Sequence, residues 1–532
     1  MTLGMAPRQG DLLDDITRFC DAAVRKDSIY ALLHRERDQL FPDEFFADLF
    51  SDMGRRSVPP SVVATVMVLQ RLEGLSDREA VERFTFDARW RYAAGLGGYD
   101  SEGPISFVHT VLVDMRERLR RSERPDRVFE VTRATAAAAG VVGRRRVLDS
   151  TPLYDAVATM DTVTLIRSAM RGLLAVACRL EAGLRAACTS GDEYADAAKP
   201  QIDWTDAAAR DALIDSRARD ALACLALLEG ERLSPELARA AELLAAVVGQ
   251  DLDGGDDGGF RIARRVSPDR IISTVDPETR HGHKTNARGF DGYKGHIAID
   301  PDAEVITSMS VTAGNVGDAT VACELLEDCL GPDRAEGERT LADRVEVYGD
   351  SAYGAGAVLR ELDGAGAVAM VKVQPASPVQ GRFTKDEFVI DVAARTVTCP
   401  NGVTVPYALK PSGEGVALFR WRCTGCPLRS RCTGAPRGRE VLIGPHEAQL
   451  TAQRQRQQDA EWKERYRATR PKVERKLAHL MRRRHGGRRA RMRGRWRVAQ
   501  DFVWLGAAVN LARLAVLGLR STGVGGWATG AC

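Results

Sequence analysis

The sequence predicts an α/β protein with a mixed sheet, and three observations lead there. Two short apolar runs each end in an aspartate, RVLD at 146–149 and VEVYGD at 345–350. Strand-like and helix-like segments alternate between and after them, as in a sheet flanked by helices. The first 140 residues, by contrast, carry only helical periodicity. A chain of 532 residues is too long for one core, and about 150 residues per domain suggests three or four folded units.

Residues 1–140 are read as an all-α module. Within it, SVVATVMVLQRLEGLSDREAVERF carries a Gly-Leu turn and then Ser76 and Glu79 in capping-box spacing, which starts a second helix. Such a pair is either a helix-turn-helix offering its second helix to a DNA groove or half of a small helical bundle. Next, RRRVLDSTPLYD places Asp149 at the carboxyl end of a short strand closed by Ser-Thr-Pro. Residues 161–264 return to Ala/Leu-rich helices and form a helical insertion. Ser234 and Pro235 suit an N-cap and first turn there, and DLDGGDDGGF reads as a flexible acidic linker.

Strands then reappear. GYKGHIAID (292–300) and AEVITSMSVT (303–312) flank a Pro-Asp turn and predict a hairpin. A helix over DATVACELLEDCL follows, then the strand ending in Asp350, a helix over 355–364 and a strand over 367–373. The core is therefore assembled from 141–160, 265–375 and 451–520. Residues 376–450 interrupt it with Gly, Pro and short β-like runs that carry cysteines. Beyond about 455 the chain is helical and basic, and a last helix spans about 497–518.

The net charge of +3 conceals a concentration: Arg465–Arg497 holds 15 Lys or Arg against Glu474 alone. That stretch carries +14 and the rest, with 61 basic and 72 acidic residues, −11. Such a block is a solvated face or an electrostatic footprint for nucleic acid or anionic membrane. The N-terminal MTLGMAPRQGDLLDDITRF lacks the apolar run of a signal peptide. VAQDFVWLGAAVNLARLAVLGL (498–519) contains Asp501, Asn510 and Arg513 and reads as a packed helix, not a membrane span. The expectation is a cytosolic protein. Of 11 cysteines, Cys399, Cys423, Cys426 and Cys432 cluster as C-x23-C-x2-C-x5-C. In a reducing compartment they could bind one structural zinc, or serve as small apolar residues of a compact β module.

Acids at the carboxyl ends of strands are where chemistry sits in open α/β sheets. Carboxylates gathered without a Cys/His set favour hard cations such as Mg²⁺ or Mn²⁺. Asp149, Asp350 and Glu474 could supply such a set, although a lone Asp at a strand end is more often a turn former. Arg470, Glu474 and Leu477 share a helix face, so Arg470 could brace the carboxylate or reach a phosphate. Asp155, Asp161, Asp276 and Asp318 are read as turn and cap residues.

Five blocks in order carry a family resemblance: VLDST, TVDPETRHGHKTNARGFDGYKGHIAID, VTAGNVGDA, VYGDSAYG and YRATRPKVERKLAHLMRR. Together they resemble the bacterial insertion-sequence transposases of the DDE type. The resemblance implies an RNase H-like core, with Asp149, Asp350 and Glu474 as the catalytic acids holding two Mg²⁺ or Mn²⁺ ions. It implies double-stranded DNA as partner, both terminal inverted repeats and target, and a homodimer or larger synaptic complex in the nucleoid. Arg470, Lys472, Arg475 and Arg482 would lie along the DNA backbone. Lys284, Lys294 and Tyr293 are further candidates for phosphate contacts, with solvated loop cations as the alternative. The family's last block places Tyr three before the Arg and Lys seven after the Glu. Here Tyr466 is one residue early and Met481 stands at the lysine position. The alternatives are an RNase H-like nuclease without strand transfer, and a non-catalytic DNA-binding protein derived from a mobile element.

Overall fold

The computed structural model describes the chain except residues 1–14, 97–105, 156, 255–257, 264–265, 286, 331–343, 377–379, 524 and 531–532. It is a mixed α/β structure. The N-terminal helices are α1 (Asp15–Ala23), α2 (Ile29–Leu40), α3 (Pro60–Glu73), α4 (Asp77–Phe86), α5 (Ala88–Ala93), α6 (Thr110–Arg121) and α7 (Arg127–Ala138). The α3–α4 break forms as its sequence dictates. Gly74 takes a left-handed φ of 70° that ends α3. The Ser76 hydroxyl then accepts from the Glu79 N–H while the Glu79 carboxylate accepts from the Ser76 N–H, closing the capping box. A Cβ at Gly74 would collide with the Arg484 carbonyl, so this turn is seated against the basic segment. Helix α3 is buried along nearly its whole length, which makes it the centre of a bundle.

The sheet comprises β1 (Arg145–Tyr154), β4 (Arg280–Thr285), β5 (Arg288–Ile299), β6 (Ile306–Ala313), β7 (Glu346–Gly349) and β8 (Val368–Val371) in the order β4-β5-β1-β7-β8. One edge of β5 is shared by β4 and β6, and its other edge pairs antiparallel with β1. Strand β1 pairs parallel with β7, Val147 lying beside Tyr348, and β7 pairs parallel with β8. The Ser-Thr-Pro at 150–152 does not end β1. The parallel pairing with β7 covers only Arg145–Val147, so beyond it β1 has a free edge. The Tyr154 N–H points to that edge, where it donates to the Arg488 carbonyl, and Pro152 has the same parity, so its missing N–H breaks no ladder bond. The segment DATVACELLEDCL forms a 3₁₀ turn and two short helices, α12 (Ala322–Leu325) and α13 (Glu327–Leu330), instead of one helix.

Between β1 and β4 lies the helical insertion: α8 (Thr162–Val176), α9 (Glu181–Ala187), α10 (Ala207–Leu228) and α11 (Pro235–Asp251), with its own apolar cluster. Part of the expected acidic linker, 255–257, lies outside the described residues; its flanks pair as β2 (Leu252–Gly254) and β3 (Phe260–Ile262) rather than running as a free coil. After β7 come α14 (Gly356–Gly364) and β8. A five-stranded antiparallel module follows: β9 (Val389–Asp391), β10 (Thr396–Thr398), β11 (Thr404–Leu409), β12 (Gly415–Leu418) and β13 (Glu440–Ile443), with α15 (Arg429–Cys432). Helices α16 (Glu447–Arg456), α17 (Ala460–Thr469), α18 (Pro471–Leu480) and α19 (Arg495–Val516) return to the sheet, and β14 (Arg520–Ser521) pairs with β15 (Trp527–Ala528).

One sheet face packs with α17–α19 and the N-terminal bundle, the other with α12–α14. Helix α19 is fixed by Asn510, whose amide bonds the Ile306 N–H and C=O at 2.8 Å each in a fully buried position. Asn510→Ala would leave both backbone groups unpaired, and is expected to cost about 3 kcal/mol and lower the thermal midpoint by several degrees. An unchanged midpoint would refute that role. No helix among the described residues is long and apolar enough to cross a membrane.

Candidate active site

Continuing the β1–β7 register by two residues puts Asp149 beside Asp350. Asp149 lies in the middle of β1 and not at the carboxyl end expected from the sequence, while β7 ends just before Asp350, so the pair sits where the parallel pairing stops. Asp149 is held from its own strand by the Ser150 N–H, 2.8 Å from its Oδ1. Asp350 closes β7 in a turn, its Oδ1 accepting from the Ala352 N–H at 3.0 Å. The third acid arrives from the far end of the chain. Pro471 at the first position of α18 ends α17 and bends the chain over β1, bringing Glu474 in the first helical turn toward the two aspartates.

Between them lies Arg470, the residue at the bend. Its Nη2 is 3.0 Å from Asp149 Oδ1 and 3.7 Å from Asp350 Oδ2, and its Nη1 is 3.5 Å from Glu474 Oε1. The Arg470 side chain is 8% exposed, whereas that of Glu474 is 64% exposed. Arg470 Nε and Nη1 have no hydrogen-bond acceptor among the described residues, so charge more than hydrogen bonding holds the guanidinium. Three carboxylates around one cation leave the group two positive charges short of balance. Burial pushes Asp149 up to about 6 against the pull of Arg470. Tyr466, one turn before Arg470, donates from its hydroxyl to the Gly349 carbonyl at 3.2 Å and stacks on Trp462. It therefore pins α17 to the end of β7, and burial pushes its phenol up to about 12.

A divalent cation fits the chemistry of this group, since the donors are hard oxygens converging on one positive charge. Among the described residues, however, no set of three or more His, Cys, Asp or Glu side chains is placed to hold a metal ion as it stands. Around the acids, Arg470 takes the shared position.

The basic residues divide by environment. Lys472 and Arg475 on α18 pair with Asp302 and Glu304 in the β5–β6 turn, while Arg482 is exposed just beyond α18. Arg483, Arg484, Arg488, Arg489, Arg493, Arg495 and Arg497 are also exposed. None of these eight pairs with a carboxylate among the described residues. They form a strap that docks on β1, where the Ala490 N–H donates to the Tyr154 carbonyl, and crosses to the N-terminal bundle. A cavity of about 310 Å³ lies behind it, lined by Arg71, Arg116, Arg120, Arg491 and Arg497 among others.

Several sequence expectations change here. Tyr293 is 0% exposed and its hydroxyl donates to Asp276, because the β5 alternation turns it into the core; it cannot touch a phosphate. Lys294, one residue on, faces the opposite side of the sheet and pairs with Asp318 at 2.9 Å, so it is not a solvated loop cation. Lys284 remains exposed on β4. Met481 is buried in the core, so no contact to solvent or phosphate arises at the lysine position. Asp318, read from sequence as a cap, also accepts from the Ser150 hydroxyl at 2.5 Å. It braces the residue next to Asp149 from behind the sheet, and the only sequence signal for it was its place in VTAGNVGDA.

The structure does not support the expected zinc site. Cys399, Cys423, Cys426 and Cys432 all line one cavity of about 20 Å³, yet among the described residues no group of three thiols is placed to hold an ion. Cys432 belongs to the apolar core of the β module with Phe388 and Phe419, Cys399 and Cys423 pack against that core, and burial raises the Cys432 thiol pKa, favouring the neutral form.

Comparison with known proteins places both ends of the chain. A family model described as "Transposase DDE domain" matches residues 398–515, which include Arg470, Glu474 and the strap. A second, "Transposase domain (DUF772)", matches residues 18–118, most of the N-terminal bundle. Asp149 and Asp350 lie between the matched segments. Searches of curated proteins and of solved structures found no match. Both family models describe transposase domains, so these two segments, together less than half of the chain, are similar to transposases, the family that the ordered sequence blocks also resemble.

Proposed function

We propose that Asp149, Asp350 and Glu474 are the catalytic acids of an RNase H-like core that cuts DNA at the ends of its own element and joins the freed 3′ end to target DNA. The observation that supports this reading is the convergence of the three acids on Arg470, just past the point where the parallel pairing of β1 with β7 ends. Two Mg²⁺ or Mn²⁺ ions held by these carboxylates would supply activation of a water or 3′-hydroxyl and stabilisation of the leaving oxygen in an in-line displacement. Asp149 is the most buried of the three and fixes the floor of the site. Glu474, mostly exposed, closes it from α18. Arg470 balances the acids before loading and is near enough to reach a scissile phosphate once they are otherwise neutralised.

The strap and Arg482 hold the DNA backbone. They sit beside the site, are unpaired with acids, and lead to the N-terminal bundle, so the duplex would run from α18 across the strap toward α3. Binding should weaken steeply with salt as counterions are released. Synapsis of two element ends calls for a dimer or larger assembly on DNA.

The test uses purified protein, Mg²⁺ or Mn²⁺, a duplex ending in the terminal inverted repeat that flanks the coding region, and a supercoiled target plasmid. The expected product is the repeat joined to plasmid through its 3′ end. Cutting without joining would favour an RNase H-like nuclease, and binding without either would favour a non-catalytic protein.

A further inference from the structure

The β module that interrupts the core carries a second surface suited to nucleic acid. Between Glu414 and Glu440 the chain has six arginines and no acid. Two of them, Arg429 and Arg439, are consumed internally by donating to the carbonyls of Cys423 and Cys432, which ties the loop into a fixed shape. Arg420, Arg422, Arg431 and Arg437 are exposed and pair with no carboxylate among the described residues. In their midst Trp421 is 72% exposed.

That exposure is built, not incidental. Arg420 adopts a left-handed backbone with φ of 46°, costly for a side chain with a Cβ. Gly438 packs against the Arg420 backbone so closely that a Cβ there would lie 2.5 Å from its carbonyl oxygen. The Trp421 carbonyl accepts from the Thr424 N–H at 2.9 Å, closing the turn. The Arg422 guanidinium stands 4.7 Å from the Trp421 ring centroid, leaving the rest of the indole open. Apolar side chains of this size are normally covered. A rigid, open aromatic plane ringed by unpaired arginines matches what an unstacked base and its flanking phosphates require.

We propose that this knuckle binds a DNA strand with exposed bases, Trp421 stacking on one base while Arg420, Arg422 and Arg437 contact neighbouring phosphates. The inference extends the DNA-binding reading of the chain but does not depend on the three acids or on metal. Unpaired bases are produced at a DNA end that is cut or distorted, which gives the surface a place in a cutting and joining reaction.

The test measures binding of full-length protein in EDTA to fluorescent (dT)20 and to a blunt 30-base-pair duplex of arbitrary sequence across a salt series. Trp421→Ala should weaken (dT)20 binding about tenfold, as loss of one stacked base would, with Trp421→Phe largely restored. The triple change R420Q/R422Q/R437Q should lower the slope of log affinity against log salt by about 2, the share of three phosphate contacts on a single strand. Thermal midpoints within 2 °C of the parent's would show that these surface variants are folded. Parent-like (dT)20 binding by both variants, with loss on R488Q/R489Q/R493Q in the strap, would overturn this inference and leave the DNA-binding reading intact. Failure of the parent to bind either probe would overturn both.

Discussion

Asp149→Asn is expected to reduce DNA cleavage a thousandfold or more while leaving the folded protein at least as stable at pH 8. The first effect follows from removing one of three charges that must converge for divalent-cation chemistry. The second follows from burial. The Asp149 carboxyl is pushed up to about 6, above its ordinary value, so the folded state holds its proton more tightly than the unfolded chain. That contribution to stability is fully present below about pH 4 and is lost as pH rises through about 6. A neutral amide avoids the loss above pH 6 and can still accept from the Ser150 N–H. Asp350→Asn and Glu474→Gln should also abolish cleavage, with smaller changes in stability, since both side chains are more exposed. DNA binding, measured by mobility shift, should survive in all three. Near-parental cleavage by all three variants would sink the assignment.

Arg470→Gln is expected to have the largest effect on the metal-free protein. Arg470 is the cation shared by all three acids, and removing one partner of a buried ion pair costs about 3 kcal/mol or more because the remaining charge stays buried. The thermal midpoint in EDTA should fall by several degrees. Millimolar Mg²⁺ or Mn²⁺ should recover part of that loss, since a ligand that binds only the folded state raises its stability, and the recovery should exceed the shift seen with the parent. Arg470→Lys should rescue little, because an ammonium cannot span three carboxylates as a planar guanidinium does. A parental midpoint for Arg470→Gln in EDTA would remove Arg470 from its central place.

The strand closed by Asp350 was legible because it is a short apolar run stopped by a polar residue, a local signal; the run before Asp149 was legible as a strand, but Asp149 lies in its middle and not at its end. The adjacency of the two strands was not legible, since it depends on pairing across about 200 residues of chain and on an entire helical insertion being accommodated between β1 and β4. Glu474 was legible only through the ordered blocks and as the one acid in a basic stretch; a helical carboxylate carries no local sign of its target. The full length of β1 was hidden because Pro152 is tolerated only where a tertiary neighbour leaves the edge free. Tyr293 and Lys294 were misread together: once β5 forms, strict alternation sends one into the core and the other to Asp318 on the opposite face. The cysteine spacing suggested zinc, but spacing does not fix where sulfurs point, and here Cys432 belongs to an apolar core against which Cys399 and Cys423 pack. The docking of Arg488 and Ala490 on β1 left no trace in sequence because it uses backbone groups alone.

The central claim is that three acids distant in sequence form one divalent-cation centre. Iron-directed cleavage of the protein backbone tests it without DNA: Fe²⁺ is bound in place of Mg²⁺, and ascorbate with peroxide generates radicals that cut the chain next to the ion. The account predicts cuts close to residues 149, 350 and 474, suppressed by excess Mg²⁺ and absent in Asp149→Asn. Cuts clustered elsewhere, or cuts at these positions that neither Mg²⁺ nor Asp149→Asn diminishes, would contradict it.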